Sequence, residues 1–289
     1  MVKHKYTLKK DEKDDRDYLF KNLIKGKEIS LPDNVDLRNN FPSIFSQNQE
    51  GSCTANAGVA VREYLENVEN NQKVTLSRQY LYNKERINDG TDLSNDEGSS
   101  IRQICATLAN NGCAEEKYLT YGINNLATVP FVEADQNASK YKVSSYHRVT
   151  TNDEIKQALA QGFPVLCGIT VYPNFETVDS KGNIPMPNTN QQPLGGHATV
   201  LCGYFTPSKI SKLSFIQMII DYILSIFKRK NNNVKYILRN SWGKSIQTSE
   251  SWGYAYDNPS DDGWGDNGYG YLTDDVLNAI KQDCWVIVK

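Results

Sequence analysis

Residues 47–57 read Gln-Asn-Gln-Glu-Gly-Ser-Cys-Thr-Ala-Asn-Ala, and this stretch decides how the rest of the chain is interpreted. From Cys53 to Val68, small residues are followed by good helix formers, which predicts a helix that begins at the cysteine. A thiol in the first turn of a helix feels the partial positive charge of the helix N-terminus, which favours the thiolate. Taken alone, a cysteine at this position is more often a small buried residue than a nucleophile.

A histidine at the start of an apolar strand is the second feature. Residues 195–204 read Gly-Gly-His-Ala-Thr-Val-Leu-Cys-Gly-Tyr, so His197 follows two glycines and precedes a strand. The other two histidines, His4 and His147, lie in a charged and a polar stretch. A lone histidine at a strand end would be structural about as often as catalytic.

An asparagine within a cluster of glycine and tryptophan is the third feature. Residues 239–243 read Arg-Asn-Ser-Trp-Gly, and residues 264–269 read Trp-Gly-Asp-Asn-Gly-Tyr. The Asn240 amide can accept from one imidazole nitrogen and so fix the tautomer, while Trp242 can shield that hydrogen bond from water. By themselves, such clusters are usually turns.

Taken together, the three segments resemble the Cys, His and Asn regions of papain-like cysteine peptidases, in that family's order. Cys53 and His197 are 144 positions apart, within the roughly 130–150 typical of papain and cathepsins. Residues 31–38, Leu-Pro-Asp-Asn-Val-Asp-Leu-Arg, are similar to the family's mature amino terminus. The resemblance covers about residues 31–289, and the Gly-Ser-Cys-Thr-Ala-Asn-Ala motif is similar to a microbial and viral branch.

The resemblance implies a role for each matching position. Cys53 would be the nucleophile, His197 its base, and Asn240 the residue that orients the histidine. Gln47 would donate to the oxyanion, with Gln49 as the competing candidate. The implied substrate contacts are Gly98, Ser99, Gly196 and Trp242.

The implied reaction is endopeptidase cleavage of a peptide or protein substrate through an acyl-enzyme thioester, without metal or organic cofactor. Two alternatives stay open. An exopeptidase or peptide ligase of the same fold would need a block at one end of the cleft. An inactive homologue would act as a binding or membrane-tethering module.

The order of elements predicts an α+β fold with two lobes. Helices are predicted first, at residues 53–68, 99–108 and 154–161, and strands follow at residues 165–171, 198–204 and 234–238. We therefore expect a mainly helical lobe over about residues 31–140 and an antiparallel β-barrel lobe over about residues 141–289. The resemblance implies that the active-site cleft lies between them.

Composition and cysteine usage bound the partners and the compartment. The net charge of −2 gives no reason to expect nucleic-acid binding. The six cysteines form no C-x-x-C pair, which argues against a zinc site, and no signal peptide is evident, so free thiols and a cytoplasmic or intracellular location are expected. Glu50 stands where the papain signature has a cysteine, and Thr54 replaces its aromatic residue.

Residues 1–30 differ from the rest, because they carry nine Lys/Arg and six Asp/Glu. An apolar cluster within residues 18–24 has helical spacing. The hypothesis is that residues 1–30 form a short propeptide, making the chain a zymogen, and that Tyr18–Ile24 packs on or near the cleft as a removable inhibitor.

An insertion predicted over residues 207–231 separates His197 from Asn240. Its centre, residues 213–227, has eleven apolar and four polar positions, with the polar ones spaced as one stripe of an amphipathic helix. Fifteen helical residues rise only about 22 Å, too short to span a bilayer. This helix could pack on its own domain, on a dimer or protein partner, or on a membrane surface through its basic flanks.

Overall fold

The computed structural model describes residues 4–27, 29–206, 234–243 and 264–289. The helices are α1 (Phe20–Leu23), α2 (Cys53–Asn70), α3 (Arg78–Asn88), α4 (Ile101–Asn110), α5 (Val132–Ala138), α6 (Asn152–Ala160) and α7 (Asp274–Ile280). The strands are β1 (Asn34–Asp36), β2 (Ser145–Val149), β3 (Val165–Val171), β4 (Gly195–Phe205), β5 (Lys235–Arg239), β6 (Tyr269–Thr273) and β7 (Lys281–Val288).

Polar side chains set the starts of the helices. Ser77, Ser100 and Thr151 each accept a hydrogen bond from a backbone N–H in the first turn of the helix that follows. The helix predicted from residue 99 therefore begins at Ile101, and the helix predicted from residue 154 begins at Asn152. Both differences arise because a hydroxyl cap, rather than the first apolar residue, determines the first helical residue.

The helical lobe is built around α2. This helix begins at Cys53, as predicted, and nearly all of its first four turns are buried. It packs against α3 and α4 on one side and against β4 of the sheet on the other. Because α2 packs on β4 as well as on α3 and α4, it lies at the junction of the two lobes.

The second lobe is an antiparallel sheet in the order β2-β7-β3-β4-β5-β6, with β1 paired to β4. The two-lobed α+β prediction is confirmed, but the predicted barrel is wrong. Among the described strands, β2 pairs only with β7 and β6 only with β5, so the sheet stays open. A barrel requires the two end strands to pair with each other. Sequence periodicity identifies strands but carries no information about closure.

The apolar part of the N-terminal extension packs on the edge of the sheet. Phe20 is fully buried in the core of the sheet lobe, and the backbone N–H of Arg148 on β2 donates to the Tyr18 carbonyl at 2.7 Å. The helix predicted within residues 18–24 is shorter in the structure and comprises the four residues Phe20–Leu23. The expectation that Tyr18–Ile24 lies near the cleft is wrong, because β2 is three strands away from β4.

Three further expectations concern the insertion, membrane spanning and the cysteines. The insertion predicted over residues 207–231, with its 213–227 centre, lies outside the described residues. In the part of the chain that the structure describes, no helix has the length and apolar character needed to cross a membrane. All six cysteines carry free thiols, and Cys167 faces Cys284 across β3 and β7 with the sulfurs 3.5 Å apart.

Candidate active site

Cys53 is the first residue of α2 and its side chain is fully buried. The backbone N–H groups in the first turn of an α-helix have no intrahelical acceptor, so they surround the sulfur with donors. The backbone of Ala198 on β4 also hydrogen-bonds to the Cys53 sulfur. Since Ala198 directly follows His197, the fold brings the thiol to the strand that carries the imidazole.

His197 lies near the start of β4, opposite Ile169 of β3. Its Nε2 is 2.8 Å from Asn240 Oδ1, and because an amide oxygen only accepts, the imidazole donates from Nε2. The Trp242 ring stacks against the imidazole with ring centres 5.2 Å apart. Nδ1 has no hydrogen-bond partner among the described residues. This nitrogen therefore keeps a lone pair that can accept a proton.

Asn240 directly follows β5, and two backbone contacts fix its amide. Its backbone N–H donates to the Gly268 carbonyl at 3.0 Å, and the N–H of Ser241 donates to its Oδ1 at 2.8 Å. The side-chain oxygen thus accepts from both Ser241 and His197. This arrangement selects the imidazole tautomer that carries hydrogen on Nε2.

Gln47 is buried where the loop before α2 meets the residues after β5. The Ser241 hydroxyl donates to Gln47 Oε1 at 2.7 Å, and Gln47 Nε2 donates to the Glu50 carbonyl at 3.0 Å. The side-chain nitrogen of glutamine carries two hydrogens. One N–H of Gln47 is used by the Glu50 carbonyl, so the other remains to donate to an oxyanion. Gln49, the competing candidate, is exposed to solvent.

The cleft between the lobes is occupied by residues 4–9 of the chain itself. The backbone N–H of Leu8 donates to the Gly196 carbonyl at 3.1 Å, and that of Lys9 donates to the Ser99 carbonyl at 2.9 Å. Gly98 has φ +68°, and a Cβ there would collide with the Thr7 carbonyl oxygen, so a glycine is needed for this approach. We call residues 4–9 the cleft segment.

The cleft segment also covers the histidine end of the site. The His4 ring stacks on Trp242 with ring centres 4.2 Å apart and an interplanar angle of 4°. The four positions predicted to contact substrate are therefore the ones that the cleft segment contacts: Gly98, Ser99, Gly196 and Trp242. Sequence reasoning missed the cleft segment, because a short charged stretch without periodicity carries no signal of where it packs.

Burial changes the pKa values of both reactive groups. Burial raises the pKa of the Cys53 thiol to about 12. Burial also lowers the pKa of His197 to about 4, against the opposing effect of its bond to Asn240. Removal from water disfavours the charged form of each group. In this closed state the sulfur and the imidazole are both neutral at pH 7.

Comparison with protein families gives a match over most of the chain. The family described as "Papain family cysteine protease" matches residues 31–285. An uncharacterised peptidase C1-like protein of Acanthamoeba polyphaga mimivirus is 27% identical over 262 residues, covering 85% of this chain and 69% of that protein. Peptidase 1 of Euroglyphus maynei is 26% identical over 273 residues, covering 90% of this chain and 67% of that protein.

Comparison with solved structures agrees. Xylellain, a cysteine protease from Xylella fastidiosa, is similar with a TM-score of 0.74 and 26% identity, covering 98% of this chain and 96% of that one. A digestive procathepsin L 3 of Tenebrio molitor, at 16% identity and a TM-score of 0.61, covers 91% of this chain and 72% of that one, and shares the fold.

Proposed function

The chain belongs to the papain family of cysteine proteases, and from this premise we propose that it is an endopeptidase whose nucleophile is Cys53. The observation that carries the proposal is the 2.8 Å bond between His197 Nε2 and Asn240 Oδ1, beside the strand position whose backbone contacts the cysteine sulfur. That bond leaves Nδ1 as the proton acceptor. These contacts support a candidate nucleophile that lies against the strand carrying a candidate base and its orienting group.

The reaction follows from these groups. Nδ1 of His197 takes the thiol proton, and the Cys53 thiolate attacks the scissile carbonyl carbon. Gln47 Nε2 and the backbone N–H of Cys53 donate to the oxyanion, and one such donor is typically worth about 3 kcal/mol. The imidazolium then protonates the leaving amine, which leaves a thioester. Water, deprotonated by the imidazole, hydrolyses the thioester and restores the thiol.

We further propose that the closed state is an inactive precursor. The cleft segment covers all four positions that would contact substrate, and the pKa values of Cys53 and His197 are shifted toward the neutral, unreactive forms. Displacing the segment would return water to both groups and favour the thiolate–imidazolium pair. Removal of residues 1–10 takes away the cleft segment and leaves the Phe20 anchor in place. If peptidase activity were the same with and without residues 1–10, the precursor proposal would be wrong.

The peptidase proposal is tested with protein that lacks residues 1–10. We expect turnover of a fluorogenic peptide mixture, and a loss of at least about 10³-fold in Cys53→Ala and His197→Ala. A thiol-reactive epoxide should label Cys53. Cys113→Ala, which removes another fully buried thiol of the helical lobe, is the matched control and should keep the activity. Equal activity in Cys53→Ala would contradict the proposal.

The pattern of products separates the alternatives within catalysis. Mass spectrometry of a digested protein should give internal fragments for an endopeptidase, single residues or dipeptides from one end for an exopeptidase, and joined peptides for a ligase. An inactive homologue would give no products and no epoxide labelling.

The sequence of residues 213–227 supports a further role at a membrane surface or on a protein partner. Its apolar face is too wide to leave in water, and Lys209, Lys212 and residues 228–230 supply basic flanks. Glu50 in place of the signature cysteine, together with the free thiols, supports an intracellular location. Co-sedimentation with anionic vesicles should be lost when residues 209–230 are deleted. No change would dismiss the membrane role.

A further inference from the structure

The side chains of the cleft segment alternate between the two walls of the cleft. Lys5 and Thr7 face the helical lobe, where Lys5 Nζ contacts Asp96 and the Thr7 hydroxyl donates to the Gly51 carbonyl at 3.0 Å. Tyr6 and Leu8 face the sheet lobe, at Gly195 and Gly168. An extended peptide places alternate side chains on opposite sides. The side chains of the cleft segment therefore lie in the positions that the side chains of an extended substrate would occupy.

Asp96 forms a fixed anionic site on the helical wall. Its Oδ1 and Oδ2 accept from the backbone N–H of Gly51 at 3.0 and 2.9 Å, and the Tyr82 hydroxyl donates to Oδ1 at 2.6 Å. The Asp96 side chain is 7% exposed, and Oδ2 is 2.6 Å from Lys5 Nζ. Two donors from the protein body thus hold the carboxylate through three contacts, and the fourth contact comes from the cleft segment.

A second carboxyl group makes this wall more acidic. Glu50 lies close enough to Asp96 to feel its charge, and burial together with that charge raises the pKa of Glu50 to about 7. A poorly solvated carboxylate with an acidic neighbour is stabilised by a cation in direct contact. When the cleft segment leaves, the ammonium of Lys5 leaves with it.

We propose that Asp96 binds a lysine or arginine side chain of the substrate, in the subsite beside Gly51 that Lys5 occupies in the closed state. This inference rests on the proposed peptidase function, because it assigns a substrate class to the same cleft. This subsite lies on the helical wall of the cleft, so it binds the substrate side chain that points toward Asp96. An ammonium or guanidinium reaching Asp96 Oδ2 restores the contact that Lys5 makes, and a neutral side chain leaves the carboxylate without a counter-charge.

The first measurement does not depend on catalysis. In the full chain, Lys5→Met removes the ammonium but keeps the length of the side chain, and Asp96→Asn removes the charge but keeps an acceptor for Gly51 and Tyr82. We expect amide hydrogen exchange at Leu8 and Lys9 to accelerate about 10-fold in each variant, because a hydrogen bond to a charged group is lost. Unchanged exchange in both variants would overturn the inference.

The second measurement is specificity. In protein that lacks residues 1–10, and therefore Lys5, peptides that carry lysine or arginine at one position should have kcat/KM values about 10-fold above those of peptides with norleucine at that position. Adding Asp96→Asn should bring that ratio close to one. The matched control is Glu176→Gln, which alters the carboxylate that the Tyr6 hydroxyl contacts on the opposite wall, and it should leave the ratio high.

The outcomes separate the two proposals. A ratio near one with Asp96 intact, or a high ratio that survives Asp96→Asn, overturns the assignment of Asp96 while the peptidase proposal stands. Accelerated exchange without turnover of any peptide and without epoxide labelling of Cys53 overturns the peptidase proposal. The lysine site at Asp96 then stands as a contact of the cleft segment alone.

Discussion

Two parts of the same N-terminal extension are held in different ways. The cleft segment contacts both lobes through backbone hydrogen bonds and polar side chains, as in the bond from Leu8 to Gly196. The part around α1 contacts the sheet lobe through the fully buried Phe20 and through Asp17, which pairs with Arg148 of β2 and also with Arg102 of α4 in the helical lobe. Apolar burial supplies most of the free energy of docking, whereas polar contacts define where a chain lies.

The difference between them separates anchoring from blocking. The anchor, residues 17–24, packs on a sheet edge away from the reactive groups, and the cleft segment contributes one residue, Leu8, to the buried apolar core. A cleft built to accept many substrates offers backbone donors and acceptors rather than a deep apolar pocket. A blocking peptide in such a cleft therefore depends on an anchor elsewhere.

The largest effect is expected from Phe20→Ala. The side chain is fully buried, and truncation of a buried phenylalanine typically costs about 3–5 kcal/mol. We expect the free energy of unfolding in urea to fall by that amount. Loss of the Phe20 anchor should also release the cleft segment from the cleft. Iodoacetamide should then alkylate Cys53 at least about 10-fold faster than in the wild-type protein. Phe20→Leu is the control and should cost less than about 1.5 kcal/mol. Full protection of Cys53 in Phe20→Ala would show that the cleft segment holds itself.

A smaller effect is expected from acid, and it should appear in the cleft. The pKa of His197 is lowered from 6.5 to about 4 in the closed state. The contribution of the neutral imidazole is therefore fully present above pH 6.5 and is lost as the pH falls toward 4, by up to about 3 kcal/mol.

Four buried carboxyl groups act in the opposite sense, since burial raises the pKa values of Asp11, Glu50, Glu63 and Glu85. The comparison with His197→Gln isolates the imidazole. Between pH 7 and 4.5, wild-type protein should lose more stability than His197→Gln, and amide exchange should rise at residues 4–9 before it rises at Phe20. Parallel profiles for the two proteins would contradict this assignment.

A still smaller effect, on the anchor, is expected from Asp17→Asn. Asp17 Oδ2 accepts from Arg102 at 2.6 Å and from Arg148 at 2.9 Å, and its side chain is 8% exposed. Loss of charge-assisted bonds to a mostly buried group costs about 2 kcal/mol. Urea unfolding should report this loss at low and at high salt, since a buried pair is weakly screened. A loss that vanishes in high salt would mean that the pair behaves as a surface contact.

The smallest effect is expected from Tyr18→Ala. The Tyr18 side chain is 68% exposed, although it belongs to the apolar cluster that the sequence highlights. Its loss should change the free energy of unfolding by less than about 0.5 kcal/mol. The rate of Cys53 alkylation should stay at the wild-type value. A marked increase in that rate would place part of the anchor at Tyr18.

Much of the fold could be predicted from the sequence, because α2 and β4 show strong local patterns and the family motifs occur in order. The structure brings Asn240 to His197 and places Cys53 against the backbone of Ala198, the next residue along β4. The open sheet could not be predicted, since closure depends on the pairing of β2 and β6 rather than on either strand alone. The apolar periodicity at Tyr18–Ile24 led to the hypothesis that these residues form the inhibitor. The positions of the cleft segment and Asp96 could not be predicted, because they depend on contacts between residues that are distant in the chain.

The bonds of Asp11 have a consequence for the order in which the molecule assembles. Its backbone N–H donates to Asp283 and its carboxylate accepts from Trp285, positions 272 and 274 residues away on β7. Residues that are translated early can therefore find their final places only after one of the last strands has joined the sheet. Closing a loop of that length is slow. The cleft segment would thus dock at the same step that completes the sheet. A partly folded domain would lack the docked segment, and a fully folded one would contain it.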